Sequence, residues 1–139
     1  SKNYLIAIGK FDGSIEVFQS WTSENLDNKK FVRKVFTFFN HQKLVTIIKW
    51  NKSIFEESES LLMASGSNDC SVIIVDFKQI ISELKQENNI IDTDNQQFIS
   101  KHKHKLIGHK ERITGICWTI SNKINILASC SYDSTVQVI

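Results

Sequence analysis

One thirteen-residue pattern occurs three times in this chain, and it limits the fold more than any other feature. Ile6 to Phe18 reads IAIGKFDGSIEVF, Met63 to Val75 reads MASGSNDCSVIIV, and Leu127 to Ile139 reads LASCSYDSTVQVI. Aligned without gaps, Asp12, Asp69 and Asp133 share a column, as do Ala7, Ala64 and Ala128, and Val17, Ile74 and Val138. Internal repetition signals an architecture of like units, each burying a face against its neighbour. Within each copy a small or apolar run meets a polar break, and alternating β-formers follow. Val136 and Val138 point one way, Thr135 and Gln137 the other. The break carries Asp with Gly or Ser after it (Asp12-Gly13, Asp133-Ser134), which is tight-turn chemistry. Each copy is therefore predicted to be a β-hairpin.

A further marker lies upstream of the second and third copies. Residues 40–50 read NHQKLVTIIKW and residues 108–118 read GHKERITGICW. His41 aligns with His109, Leu44 with Arg112, Val45 with Ile113, Thr46 with Thr114 and Trp50 with Trp118. Another apolar stretch precedes each His, at 35–39 and 105–107. The order strand, His, strand ending in Trp, strand, Asp turn, strand gives four strands per unit. On these residues the chain resembles the WD-repeat family, whose units are the four-stranded blades of a β-propeller. The fold class implied is all-β: about two and a half antiparallel blades over residues 1–139, at roughly 4–39, 44–107 and 112–139, with an insertion at 78–103. The Trp-Asp that usually closes each repeat is replaced by Phe18-Gln19 and Val75-Asp76. A closed propeller has about four to eight blades, and this chain begins without Met and stops inside a repeat, so it reads as a segment of a longer protein. Alone, it would leave apolar faces and sheet edges open.

Along the chain, the polar stretch 19–30 reads as a loop. Its Trp21 is expected to pack on the blade edge, with ligand stacking as the alternative. Phe31 to Phe39 reads as an outer strand with both faces partly covered. Residues 51–60 form an acidic loop (Glu56, Glu57, Glu59), and residues 79–87 have the spacing of a short helix. The basic run Lys101-His102-Lys103-His104-Lys105 is either a phosphate-contacting patch or, as preferred, a solvated strand entry. A net charge of +2 is too small to imply nucleic-acid binding by itself. No apolar run approaches the ~18 residues of a membrane span, so no membrane partner is expected. Cys70, Cys117 and Cys130 lack paired metal spacing and read as reduced thiols. No metal site, cofactor or small-molecule substrate is expected. The absence of a nucleophile elbow or phosphate loop argues against an enzyme.

His41 with Asp69, and His109 with Asp133, could be read as catalytic pairs. The WD-repeat resemblance implies instead a buried hydrogen-bond network that ties one end of each blade, with Ser65 or Ser67, and Ser129 or Ser131, as hydroxyl partners. Without the usual Trp donor, that network would end at Ser. Arg112 opens an inner strand and Tyr132 ends the next. Antiparallel neighbours put those positions together, on one propeller face near its centre. A guanidinium fork beside an aromatic ring suits a flipped-out base and its phosphate.

The β segments are also similar to consecutive repeats near the end of the paired propellers of the fifth-Gemin family, the RNA-binding subunit of the SMN complex. That resemblance implies recognition of small nuclear RNA, at its Sm site and 7-methylguanosine cap, for snRNP assembly. It further implies SMN-complex partners and a cytoplasmic and nuclear location. The family's basic residue before an inner strand and its Tyr in the S-Y-D turn fall on Arg112 and Tyr132. The family has Lys at the first position; Arg keeps the charge and changes the hydrogen-bond geometry. Phe11 and Asn68 share the Tyr132 column, and Phe11 with Lys43 is a candidate extension of the RNA face. The alternative is a protein-interaction scaffold without RNA binding.

Overall fold

The computed structural model describes residues 3–23, 25, 27–51, 61–80, 102–119 and 124–139. Among them are ten strands: β1 (Asn3–Gly9), β2 (Ser14–Ser23), β3 (Lys29–Phe39), β4 (Val45–Asn51), β5 (Leu62–Ser67), β6 (Ser71–Asp76), β7 (Lys103–Ile107), β8 (Ile113–Trp118), β9 (Leu127–Ser131) and β10 (Val136–Val138). They form three antiparallel sheets in chain order, β1-β2-β3, β4-β5-β6-β7 and β8-β9-β10. These are consecutive propeller blades. The repeated hairpins share one register. Ala7 faces Val17, Ala64 faces Ile74 and Ala128 faces Val138.

The turns are alike because the same three residue types build them. The amides of Gly13, Cys70 and Ser134 donate to the carbonyls of Lys10, Ser67 and Ser131 at 3.3, 3.3 and 3.2 Å. Those three residues take positive φ values of 89°, 69° and 67°. This is a type I turn followed by a left-handed residue, which matches the twist of the flanking strands. In each turn the Asp carboxylate accepts both the amide and the hydroxyl of the residue two positions on: Ser14 (2.9 and 2.6 Å), Ser71 (3.0 and 2.6 Å) and Thr135 (2.9 and 2.6 Å). Gly13 is needed for a second reason. A Cβ there would run into the backbone carbonyls of His41 and Lys43, because this turn docks on the link to the next blade. The amides of His41 and Val45 donate to Gly13 and Lys10.

The middle sheet is buried on both faces, so the period-2 rule divides its side chains between two cores. Met63, Ile73 and Val75 point toward the first sheet and pack with Ile15, Val17, Phe36 and Phe38. Ala64 and Val72 point the other way and pack with Ile113, Ile116 and Leu127. This explains the unbroken apolar run Val72-Ile73-Ile74-Val75, where a half-solvated strand would alternate. Phe77 closes the first core, with ring centroids 5.7 Å from Phe36, 5.4 Å from Phe38 and 5.1 Å from Trp50. Burying each such side chain contributes about 1.5–3 kcal/mol. Polar ties add to the second contact. The Thr46 hydroxyl donates to the Ile113 carbonyl (2.6 Å), and the Trp118 indole N–H donates to the Lys49 carbonyl (3.1 Å).

The structure corrects several local expectations. Most of 19–30 is strand. β2 continues to Ser23 and β3 begins at Lys29, turning through Asp27 and Asn28, both at positive φ. Cross-strand pairs outweigh the polar composition there. Trp21 stacks on Phe31 at 5.6 Å, and the Arg33 guanidinium donates to the Gln19 side chain and lies 5.6 Å from the Trp21 ring centre. In β3, Val35, Phe36 and Phe38 are buried and Thr37 between them is half-buried, while Val32 and Phe39 are exposed. Val136 and Val138 alternate with Gln137 as expected, but on an exposed face. Residues 77–80 are helical, capped by the Asp76 carboxylate, which accepts the amides of Lys78 (3.0 Å) and Gln79 (3.3 Å). The rest of the expected helix, most of the insertion and the acidic residues Glu56, Glu57 and Glu59 lie outside the described residues.

Candidate functional site

The three Asp turns lie at one end of the sheets, and in two blades a histidine is bound beneath the turn. His41 Nδ1 lies 3.1 Å from Asp69 Oδ2, and its Nε2 lies 2.9 Å from the Ser65 hydroxyl. His109 repeats the arrangement with Asp133 (3.2 Å) and Ser129 (2.9 Å). Nδ1 donates to the carboxylate, which leaves Nε2 to accept the serine proton. Each carboxylate also accepts the next backbone amide, Gln42 (3.0 Å) or Lys110 (2.8 Å). The chain of bonds ends at Ser65, whose one proton goes to the imidazole at 2.9 Å rather than to the Ile73 carbonyl 3.4 Å away.

Of the alternative hydroxyls, Ser67 and Ser131 have a different task. They donate to the Lys43 and Glu111 carbonyls at 3.0 and 2.9 Å, and accept the amides of Asp69 and Asp133. Two partners of the histidines were not singled out from sequence. Ser71 and Thr135 lie 3.2 and 3.1 Å from the Nδ1 atoms. Their signal is a column two residues after the Asp, occupied by Ser14, Ser71 and Thr135.

Electrostatics follow from this bonding. Burial alone would raise the Asp69 carboxyl, but donors from Ser71 and Gln42 and the nearby His41 bring it down to about 2. The Thr135 hydroxyl and the Lys110 amide hold Asp133 well below the usual carboxylate range. Ser14 lowers Asp12 in the same way. Burial pushes His41 below its ordinary value despite Asp69, with Lys105 and Lys103 adding to the effect. The His41 side chain is 0% exposed. Both histidines are buried, and both of their ring nitrogens are taken up by the blade end that they tie together.

The residues above this network are open. Arg112 and Tyr132 meet directly. The Tyr132 amide donates to the Arg112 carbonyl at 3.0 Å, and the Arg112 guanidinium lies 4.4 Å from the Tyr132 ring centre. Tyr132 is 66% exposed. Asn68 makes the equivalent backbone bond to Leu44 at 2.9 Å, so the second blade has the same frame without the cation or the ring. Phe11 is 84% exposed in the first turn, and Lys43 is exposed on the link that this turn supports. Phe11 lies in the turn of the first sheet and Lys43 on the link into the second, whereas the Arg112–Tyr132 pair belongs to the third, all at the same end of the sheets. Sequence reasoning passed over Phe39 and Ile107, 66% and 81% exposed at the ends of β3 and β7. Each stands two residues before a network histidine, a column visible in the alignment. Among the described residues, no group of three or more His, Cys, Asp or Glu could hold a metal ion, and no helix is long and apolar enough to cross a membrane.

Residues 100–139 match the family described as WD domain, G-beta repeat. Gem-associated protein 5 of Homo sapiens is 34% identical to the chain over 135 residues, 96% of this chain and 8% of that protein. Gem-associated protein 5 of Mus musculus is 33% identical over the same length, with the same shares. The chain thus spans about 8% of the length of the curated relatives it matches.

Proposed function

This is a WD-repeat β-propeller chain resembling Gem-associated protein 5, and from that premise we propose that its turn end binds small nuclear RNA. The observation that carries the reading is the exposed Arg112–Tyr132 stack, anchored by a backbone hydrogen bond and by the Asp133 turn beneath it. The open side of the Tyr132 ring accepts an unstacked base, and the guanidinium fork takes the adjacent phosphate. Because the Arg112 guanidinium already lies 4.4 Å from the ring centre, less side-chain freedom remains to be lost on binding. Phe11 and Lys43 extend the surface across the first two blades. In this reading the protein contributes to recognition of the Sm site and the 7-methylguanosine cap during SMN-dependent snRNP assembly. It acts as a binding protein in the cytoplasm and nucleus, without catalysis.

The test is RNA binding by the full-length protein. Each stacked base contributes about 1–3 kcal/mol, so Tyr132→Ala or Arg112→Ala should weaken binding roughly tenfold or more. Unchanged affinity in both variants removes these residues from the site. A second reading, a protein-interaction scaffold, is favoured by the exposed apolar side chains Phe11, Phe39 and Ile107 at the same end. Capture that is independent of RNA and lost in Phe39→Ser/Ile107→Ser would support it.

A further inference from the structure

The cations of this chain are unevenly placed. β3 and β7 are the outer edge strands of the first and second sheets. β3 reads KKFVRKVFTFF and β7 reads KHKLI, with no acidic residue in either. Lys29, Lys30, Arg33, Lys34, His104 and Lys105 are exposed, and Lys103 is half-buried. Two of these are already engaged. Arg33 holds Gln19 and covers Trp21, and Lys34 lies 3.7 Å from Glu16. Among the described residues no carboxylate pairs with Lys29, Lys30, Lys103 or Lys105. The first strands of successive sheets, β1, β4 and β8, approach one another, so β3 and β7 both lie on the opposite, outer side of their blades. The Trp21–Phe31 stack and the Arg33–Gln19 bonds stiffen the β2–β3 hairpin, so its lysines are held on a rigid support.

We propose that the outer edge formed by β3 and β7 is a second anion-binding surface, which contacts the phosphate backbone of a nucleic-acid strand through Lys29, Lys30, Lys103 and Lys105. The surface lies on the rim and is separate from the turn end that presents Arg112 and Tyr132. Its partner class follows from its chemistry. Flexible ammonium groups along an extended strand give point charges without a planar fork, which suits phosphates and reads no base. The choice of nucleic acid over another polyanion rests on the RNA reading above. Lysines on an edge strand also discourage sheet-to-sheet pairing, so edge protection is the competing role.

The experiment uses the full-length protein with a labelled, uncapped oligouridine strand, measured over a range of salt. A variant with Lys29→Gln, Lys30→Gln, Lys103→Gln and Lys105→Gln removes the four cations. Each phosphate contact on a single strand contributes about 0.7 to the slope of log affinity against log salt. The variant should therefore lower that slope by up to about 3, with Lys→Arg at the same positions restoring it. In the unmodified protein, the strand should protect these lysines from acetylation, a readout that needs no variant to fold. An unchanged slope together with unprotected lysines overturns the proposal, as does self-association of the Gln variant with full RNA affinity. Equal competition by polyglutamate overturns the choice of nucleic acid. The two sites fail separately. Loss of binding in Arg112→Ala and Tyr132→Ala with an intact rim slope leaves the turn-end site alone, and the converse leaves the rim alone.

Discussion

Asp69→Asn tests the idea that one carboxylate holds the end of the second blade. Asp69 accepts four donors: the Ser71 amide (3.0 Å) and hydroxyl (2.6 Å) on Oδ1, and the Gln42 amide (3.0 Å) and His41 Nδ1 (3.1 Å) on Oδ2. An Asn side chain has the same shape, but one of its two ends is an NH2 group. Whichever way it turns, that group faces two donors, so two charge-assisted bonds are lost. At about 1.5 kcal/mol each, the cost is about 3 kcal/mol. This corresponds to a roughly hundredfold larger population of the open turn. Amide hydrogen exchange in the full-length protein reads it directly, at the Ser71 and Gln42 amides. Ser65→Ala removes a single neutral bond at the other side of the ring and should cost only about 1 kcal/mol. If Ser65→Ala opens the turn more than Asp69→Asn does, the carboxylate is not what closes the blade.

Phe77→Ala should cost about 3–5 kcal/mol, measured as a fall in melting temperature. Its ring is fully buried among Phe36, Phe38 and Trp50, and a loss under about 1 kcal/mol would mean that the site collapses freely. Ser134→Gly should stabilise by about 0.5–1 kcal/mol, because Ser134 occupies left-handed backbone that Gly adopts without penalty. Gly13→Ala should destabilise, since its Cβ meets backbone carbonyls that cannot yield; equal signs for the two changes would refute the turn assignment. Stability should fall as the solution is acidified, in two steps. The folded-state values of His41 and Asp69 both lie below their ordinary values of 6.5 and 3.8, so the unfolded chain binds more protons. Each contribution is complete above the ordinary value and fades as pH drops toward the folded one. His41→Gln should flatten the step below 6.5, and Asp69→Asn should reduce the step below 3.8, to which the lowered carboxyls of Asp12 and Asp133 also contribute.

The sequence by itself determined the repeated unit. The Asp column, the His column and the alternating strands are local patterns, and each copy obeys the same backbone rules whatever surrounds it. Register followed from them, because a one-residue slip would turn every core side chain outward. Other properties had no local sign. The stretch 19–30 looks like a loop by composition, and it becomes strand because Trp21 and Phe31 stack across the hairpin. Val17 and Val138 share a column, yet one is buried and the other exposed, since burial depends on which sheet lies alongside. Ser65 could not be told from Ser67 by spacing; the pleat sends one toward the imidazole and the other toward the Lys43 carbonyl. Arg112 and Tyr132 could be placed side by side from strand order, but the stacking of the guanidinium on the ring is a tertiary fact. The placing of the lysines of β3 and β7 on the outer edges of two successive blades is of the same kind, because the two strands are far apart in the chain and which edge of a sheet faces outward is set only when the blades pack.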